Sequence, residues 1–188
     1  MRVIGGTAKG RPLQSVPGDS TRPILDRVKT PLFDILRPQL SGMAILDLFG
    51  GTGAVGIEAL SQGAANCVFL DTNAKAVATI KANLETTQLI DKAEVRHTDA
   101  FVYLRNTSKS FDLIYVAPPQ FKGIWIEAMR IIAERPHLLN QNGQVIVQID
   151  PKEYEQLDLQ TISEVRQRTY GNTALVFYCL REHPTRNI

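Results

Sequence analysis

The sequence predicts an α/β fold built on a mostly parallel sheet that ends in an antiparallel strand pair. From about residue 43, short apolar runs alternate with helical stretches, which is typical of a parallel sheet covered on both faces. After residue 160 the pattern changes. Residues 162–168 and 174–180 alternate in polarity around Tyr170-Gly171-Asn172, which indicates an antiparallel hairpin at the end of the sheet.

The elements follow in order along the chain. Apolar runs predict strands at residues 44–48, 67–70, around Val95, 113–116 and 145–149, and helical spacing predicts helices at 54–61, 74–84, 101–105 and 125–133. Upstream, residues 2–4 and 12–16 flank Gly5-Gly6 and predict a short β-hairpin. Residues 21–36 have helical spacing, but Pro31 predicts a break, with a second helix beginning there and Thr30 as its cap.

Length and composition favour one folded unit, divided into a basic hairpin and helix extension at residues 1–40 and a main domain at 41–188. No apolar run approaches the roughly 18 residues of a membrane span, and the first residues do not form a secretory signal, so we expect a cytoplasmic protein without a membrane partner. Cys67 and Cys179 lie in apolar runs and are expected to be buried, reduced thiols. The histidines lack ligand spacing, so no metal site is expected.

The charge is concentrated at the N-terminus. Residues 1–40 carry a formal charge of +4, whereas the whole chain carries +2, so the remainder sums to −2. A basic first fifth on a near-neutral body suggests a surface for a polyanion, although a solvated basic face explains the charge equally well.

A glycine-rich loop follows the first strand. Residues 51–56 read G-x-G-x-x-G at the carboxyl end of that strand, where open α/β sheets bind ligands, and Asp71 ends the second strand, where a carboxylate can accept from ribose hydroxyls. These features fit NAD as well as S-adenosylmethionine.

Three further features favour S-adenosylmethionine. Asp47 lies four residues before Gly51, where its carboxylate would repel a pyrophosphate and attract the ammonium group of a methionine moiety. Thr98-Asp99-Ala100 follows the third strand and suits an adenine amino group. The fourth strand ends in Ala117-Pro118-Pro119-Gln120, where the prolines stiffen the chain and leave backbone carbonyls free to face a cleft.

Taken together, DLFGGTGAVGIEALSQGA, the Asp71 region, DLIYVAPPQ and the N-terminal MRVIGGTAKGRPL and TRPILDRVKTPLFDIL resemble the RsmD family of 16S rRNA guanine-N2 methyltransferases. The resemblance runs from residue 1 to about residue 149. It implies a seven-stranded, Rossmann-like class I methyltransferase fold, S-adenosylmethionine as cofactor, and a guanine of small-subunit rRNA, met within a ribosomal particle, as substrate.

The resemblance also implies roles for individual residues. The cofactor-binding set is Asp47, Phe49, Gly50, Gly51, Thr52, Gly53, Asp71, Asp99 and Ala100. The expected RNA contacts are Lys9 and Arg11 in the N-terminal hairpin, and Arg22 and Arg27 in a segment that matches the family's RP…DR signature. Structural alternatives stay open: Asp47, Asp71 and Asp99 could cap helices, and Arg27 could pair with Asp26.

The sequence departs from the family in its fourth motif, which normally reads Asp or Asn, Pro, Pro, then Tyr or Phe. The expected catalytic set is therefore Ala117, Pro118, Pro119, Gln120 and Phe121, in which Ala117 offers no side-chain oxygen and Gln120 no ring. A hydrogen bond to a charged group contributes about 1.5–3 kcal/mol, and base–aromatic stacking contributes about 1–3 kcal/mol. Phe121 is the nearest ring that could stack on a base, unless it is buried with Trp125.

Three other functions remain open. The double proline also occurs in enzymes that methylate adenine N6 or a protein glutamine. The loss of the usual motif residues would fit an RNA-binding assembly factor that keeps the cofactor without methylating. An NAD-binding protein is the last alternative.

Overall fold

A computed structural model describes residues 1–18 and 24–181. Its seven strands are β1 (Ala44–Asp47), β2 (Asn66–Asp71), β3 (Ala93–His97), β4 (Phe111–Val116), β5 (Leu139–Ile149), β6 (Ile162–Tyr170) and β7 (Thr173–Leu180). They form one sheet in the order β3-β2-β1-β4-β5-β7-β6. Strands β1 to β5 are parallel to one another, and β7 is antiparallel to both β5 and β6. The predicted mixed sheet and its terminal hairpin are confirmed.

Helices cover both faces of the sheet. They are α1 (Asp26–Leu36), α2 (Ala54–Ser61), α3 (Ala74–Thr87), α4 (Ala100–Asn106) and α5 (Ile124–Glu134), with 3₁₀ turns at Arg37–Gln39, Ile90–Lys92, Pro136–Leu138 and Pro151–Glu153. The first three helices pack on one face and the last two on the other, so the buried apolar side chains form two clusters separated by the sheet. No helix in the described ranges is long and apolar enough to cross a membrane.

The predicted break in the first helix is wrong, because α1 runs through Pro31 without interruption. Its Val28, Leu32 and Leu36 are at most 1 % exposed. Burying that apolar face stabilises the helix by more than the missing proline N–H costs, so packing outweighs the local propensity of proline. Both cysteines are free as expected, but Cys179 is only half-buried, whereas Cys67 is buried.

The N-terminal segment folds back on itself with a single bridge, between Arg2 and Pro12, where the sequence predicts a strand pair. The backbone explains the difference. The N–H groups of Ile4 and Gly5 donate to the carboxylate of Glu58 in α2, at 2.9 and 2.8 Å, and so are not available to a facing strand. A Cβ on Gly6 would lie 1.7 Å from the carbonyl oxygen of Ser61, so only glycine permits this close approach to α2.

A fully buried ion pair also anchors the N-terminal segment. Lys29 of α1 lies 3.3 Å from Glu58, both side chains are 0 % exposed, and the Lys29 ammonium also donates to the Arg2 carbonyl at 2.6 Å. A buried charge is tolerated when it is paired and hydrogen-bonded, as both are here. The segment is thus anchored to α1 and α2. The domain boundary at residue 40 stays a prediction.

Candidate active site

A cavity of about 550 Å³ opens at the carboxyl ends of the parallel strands. It has two parts. We call one part the acidic half, formed by Asp47, residues 49–52 and 54 of the glycine loop, Asp71–Asn73 and Thr98–Phe101; Gly53, expected in the cofactor-binding set, is not among the lining residues. We call the other the proline half, formed by Tyr115, Ala117–Gln120, Ile124, Gln148 and Thr173, with Ile24, Leu25 and Val28 beside it. The acidic half lies over β1 to β3, and the proline half over β4, β5 and β7.

Backbone hydrogen bonds hold the glycine loop. Gly50 N–H donates to the Leu70 carbonyl at 2.7 Å, and Gly51 N–H donates to the Asp71 carboxylate at 2.9 Å, so the loop is tied to the end of β2. The third glycine of the motif, Gly56, has a packing role. A Cβ there would lie 2.2 Å from the ring of Phe69, so glycine lets α2 pack closely on β2.

Asp47 lies beneath the loop and is 2 % exposed. One carboxylate oxygen accepts from Gly56 N–H in the first turn of α2 at 3.3 Å, whereas the other makes no hydrogen bond within the described residues. Burial raises the pKa of this carboxyl to about 7; the Gly56 hydrogen bond lowers it and the charge of Asp71 raises it further. Asp47 therefore both caps α2 and lines the cavity.

Asp71 and Asp99 have different structural roles. Asp71 accepts from Gly51 N–H and, at 2.8 Å, from Asn73 N–H, and it is Asn73 that caps α3 through Lys75 N–H. The capping alternative is thus wrong for Asp71. Asp99 does cap α4, since one of its oxygens accepts from Phe101 and Val102 N–H at 2.8 and 2.9 Å. Both carboxylates line the cavity, as do Phe49, Thr52 and Ala100.

The loop after β4 carries the expected catalytic residues. Ala117, Pro118, Pro119 and Gln120 line the cavity. Phe121, the fifth expected catalytic residue, does not line the cavity and is 64 % exposed at a positive φ of 59°. Its N–H donates to the Glu153 carboxylate, which holds the loop to the segment after β5. Trp125 is 1 % exposed inside the core, so the alternative that Phe121 is buried beside it is wrong.

The expected RNA contacts are not all close to the cavity. Arg27 donates to the Asn172 side chain at 3.2 Å. It therefore lies next to the β6–β7 turn and to Thr173, at the rim of the proline half. The hydrogen bond to Asn172 takes the place of the ion pair with Asp26 that the sequence left open. Arg11 donates to the Thr86 carbonyl at 2.6 Å and to Gln88 at 2.9 Å, at the far end of α3. A helix as long as α3 spans about 21 Å, so Arg11 and the neighbouring Lys9 lie well away from the cavity. Arg22 and Pro23 lie outside the described residues.

Sequence reasoning missed several residues that line the cavity. Tyr115, Gln148 and Thr173 come from three different strands and meet in the proline half, together with the apolar Ile24, Leu25 and Val28 next to α1 or in it. A signal was present for two of them, because Tyr115 and Gln148 are polar residues near the carboxyl ends of otherwise apolar strands.

The strand order and the position of the cavity define a Rossmann-like class I methyltransferase fold, as the resemblance implied. A solved structure from Escherichia coli, described as "Putative methyltransferase yhhF", matches with a TM-score of 0.84 and 29 % identity, and the match covers 97 % of this chain and 99 % of that chain.

Sequence comparison gives the family. Residues 1–179 match the family model described as Conserved hypothetical protein 95, and the chain belongs to this family, which confirms the resemblance stated above. The chain is 36 % identical to the Bacillus subtilis (strain 168) protein named "Putative rRNA methyltransferase YlbH", over 95 % of this chain and 98 % of that protein. It is 30 % identical to "Ribosomal RNA small subunit methyltransferase D" of Haemophilus influenzae, over 92 % of this chain and 94 % of that protein.

Proposed function

We propose that this protein is an S-adenosylmethionine-dependent methyltransferase that acts on the exocyclic N2 of a guanine in small-subunit (16S) rRNA. One observation carries the proposal. Three carboxylates, those of Asp47, Asp71 and Asp99, line the cavity, and no lysine or arginine of the described chain does. Such a site attracts a cationic ligand and repels the phosphates of NAD.

The residues present fit the cofactor. The free oxygen of Asp47 can accept from the ammonium group, and Asp71 can accept from ribose hydroxyls with the lone pairs that its backbone partners leave. Asp99 and Ala100, which also line the cavity, would hold the adenine. A cavity of about 550 Å³ has the size of an ordinary small-molecule site.

When bound, the cofactor supplies an electrophilic methyl group. The protein's part is to bring the amine of the base in line with that group and to accept hydrogen bonds from its N–H bonds, which favours attack by the nitrogen lone pair and loss of a proton. Ala117 offers no side-chain oxygen, so the backbone carbonyls near Pro118 and Pro119 and the amide of Gln120 take this part. Positioning alone supplies much of the rate in such a transfer. The exposed ring of Phe121, one residue beyond the cavity-lining Gln120, would stack on the extruded base.

The names of the relatives support an rRNA substrate. The choice of guanine N2, the assembled small subunit as the form of the substrate, and a cytoplasmic location remain predictions. Arg27 at the rim of the cavity is the RNA contact that the geometry favours most, whereas Lys9 and Arg11 would need RNA that extends along the outside of α3.

A second candidate rests on Ala117 and Gln120. Without the usual oxygen and ring, the protein could bind the cofactor and the particle and yet transfer no methyl group, and so act in ribosome assembly. The exposed ring of Phe121 favours the enzyme over this alternative.

The test measures both cofactor binding and methyl transfer. Calorimetry should give binding of S-adenosylmethionine and none of NADH. Labelled methyl transfer to small subunits from a strain that lacks this protein, followed by mass spectrometry of the rRNA, should yield one N2-methylguanine. Naked DNA and translation release factors serve as alternative substrates. Cofactor binding without transfer to any substrate would support the assembly factor, and NADH binding would defeat the proposal.

A further inference from the structure

The proline half contains a polar pair that the proposed function leaves without a role. We propose that Gln148 recognises the methyl-acceptor base by donating a hydrogen bond from its amide nitrogen to a carbonyl oxygen of the base, and that Tyr115 holds the amide in that orientation. This inference rests on the proposed function.

The hydrogen bonds of the pair give the orientation. The Tyr115 hydroxyl, on a side chain 2 % exposed, donates to Oε1 of Gln148. A buried hydroxyl without a partner is costly, so this contact favours the rotamer in which Oε1 faces Tyr115. Burial, assisted by the charge of Asp47, raises the pKa of Tyr115 well above its usual value, which keeps the hydroxyl protonated and able to donate. The amide nitrogen of the half-buried Gln148 makes no hydrogen bond within the described chain, and the residue lines the cavity.

The strand order places the Gln148 amide on the side of the cavity where the methyl-acceptor base is expected. Strand β5 borders β4 on the side opposite β1, so Gln148 is separated from the acidic half by the strand that carries the double proline. Ala117, which precedes the double proline, has only a methyl side chain, and both Ala117 and Gln148 line the cavity. A base whose amine meets the donor methyl group near Pro118 would therefore present another edge atom to Gln148.

The chemistry of that atom gives selectivity. Guanine carries a carbonyl oxygen, O6, on the edge that also holds N2, and that oxygen accepts a hydrogen bond from an amide N–H. Adenine presented with its N6 amine at the same point carries C2–H where guanine carries O6, so the Gln148 amide would have no acceptor and a buried group would be left unpaired. Gln148 thus selects guanine over adenine.

The experiment uses the full-length chain, unmethylated small subunits and S-adenosylmethionine. Gln148→Met keeps the side-chain length but removes the donor, and we expect kcat/KM for the particle to fall by roughly ten- to a hundredfold, with cofactor affinity by calorimetry unchanged within about twofold. Tyr115→Phe should lower kcat/KM less, and both variants should lower the ratio of methylated guanine to methylated adenine in digests of the product RNA. A purely structural role would not change that ratio.

Three results would overturn the inference. If the wild type is active and Gln148→Met leaves kcat/KM and the preference for guanine unchanged, Gln148 does not recognise the base, and the proposed function still stands. Weakened binding of S-adenosylmethionine by Gln148→Met would make the residue a cofactor contact. A wild-type protein that methylates no small-subunit RNA would overturn the proposed function and this inference together. Melting temperatures of both variants establish that they are folded.

Discussion

In the acidic half of the cavity, Gly51 donates to Asp71 at 2.9 Å and Gly56 to Asp47 at 3.3 Å, so the functional groups are fixed by the backbone that presents them. In the proline half, the corresponding groups depend on tertiary contacts: Tyr115 bonds to Gln148 across two strands, and Phe121 bonds through its N–H to Glu153. The acidic half also keeps the acidic residues that the resemblance implied, whereas the proline half lacks two residue types of the family's fourth motif. The difference indicates that cofactor binding is built into the fold and that acceptor chemistry can vary around it.

The largest effect is expected in the acidic half. Asp47→Asn keeps an oxygen for Gly56 N–H but removes the charge, and truncating one partner of a desolvated charge pair costs about 2–5 kcal/mol. We expect the dissociation constant of S-adenosylmethionine to rise by roughly thirtyfold or more at pH 8, measured by calorimetry. Glu127→Gln, on the exposed face of α5, is the control and should bind normally. Unchanged affinity in Asp47→Asn would break the contrast between the halves.

The raised pKa of Asp47 predicts an opposite effect on the ligand-free protein. Because the folded pKa of about 7 lies above the usual aspartate value of 3.8, the carboxyl stabilises the fold least when it is ionised. The contribution is fully present below pH 4 and is lost as the pH rises through 7, and it amounts to at most about 4 kcal/mol. Urea unfolding should therefore give Asp47→Asn a stability advantage at pH 8 that vanishes at pH 4. Cofactor affinity of the wild type should rise between pH 6 and 8, and a flat profile would contradict the assignment.

The two halves of the cavity also differ in how well the sequence predicts them. The acidic half follows from strand, loop and helix spacing along one stretch of chain, so Asp47, Asp71 and Asp99 could be assigned to the cavity in advance. The proline half could not be assembled, because Tyr115, Gln148 and Thr173 are far apart in sequence and meet only through the order β4-β5-β7. The uninterrupted helix through Pro31 was missed for a similar reason, since burial of its apolar face is a tertiary effect.

The next largest effect is expected in the proline half, when a residue type of the family's fourth motif is restored. Ala117→Asn returns an acceptor oxygen to the fourth motif, and one hydrogen bond to a group that becomes charged contributes about 1.5–3 kcal/mol. Where chemistry limits the rate, we expect kcat to rise by roughly ten- to a hundredfold in single-turnover methyl transfer, with cofactor affinity unchanged. A lower kcat in a normally folded variant would mean that this chain has adapted its acceptor site to alanine.

A smaller loss is expected for the exposed ring. Phe121→Ala removes a stacking surface worth about 1–3 kcal/mol, so kcat/KM should fall by about five- to a hundredfold, and Phe121→Leu should fall nearly as far because it keeps apolar bulk but no ring. Val165→Ala, another exposed apolar side chain at 59 % exposure on the edge strand β6, should leave kcat/KM unchanged. If leucine at position 121 retains full activity, apolar contact and not stacking explains the residue.

The smallest effects are expected on RNA binding, and they distinguish the rim of the cavity at Arg27 from the basic N-terminal hairpin. Arg27→Gln at the rim of the cavity should weaken binding to small-subunit RNA several-fold and reduce the slope of log affinity against log salt by about 1. Lys9→Gln, near the far end of α3, should change neither, and Arg130→Gln on α5 serves as a matched exposed control. Fluorescence titrations at two or more salt concentrations measure both quantities. An equal loss for Lys9→Gln would mean that RNA follows the protein along the whole length of α3, so that the basic N-terminus and the rim form one continuous binding surface.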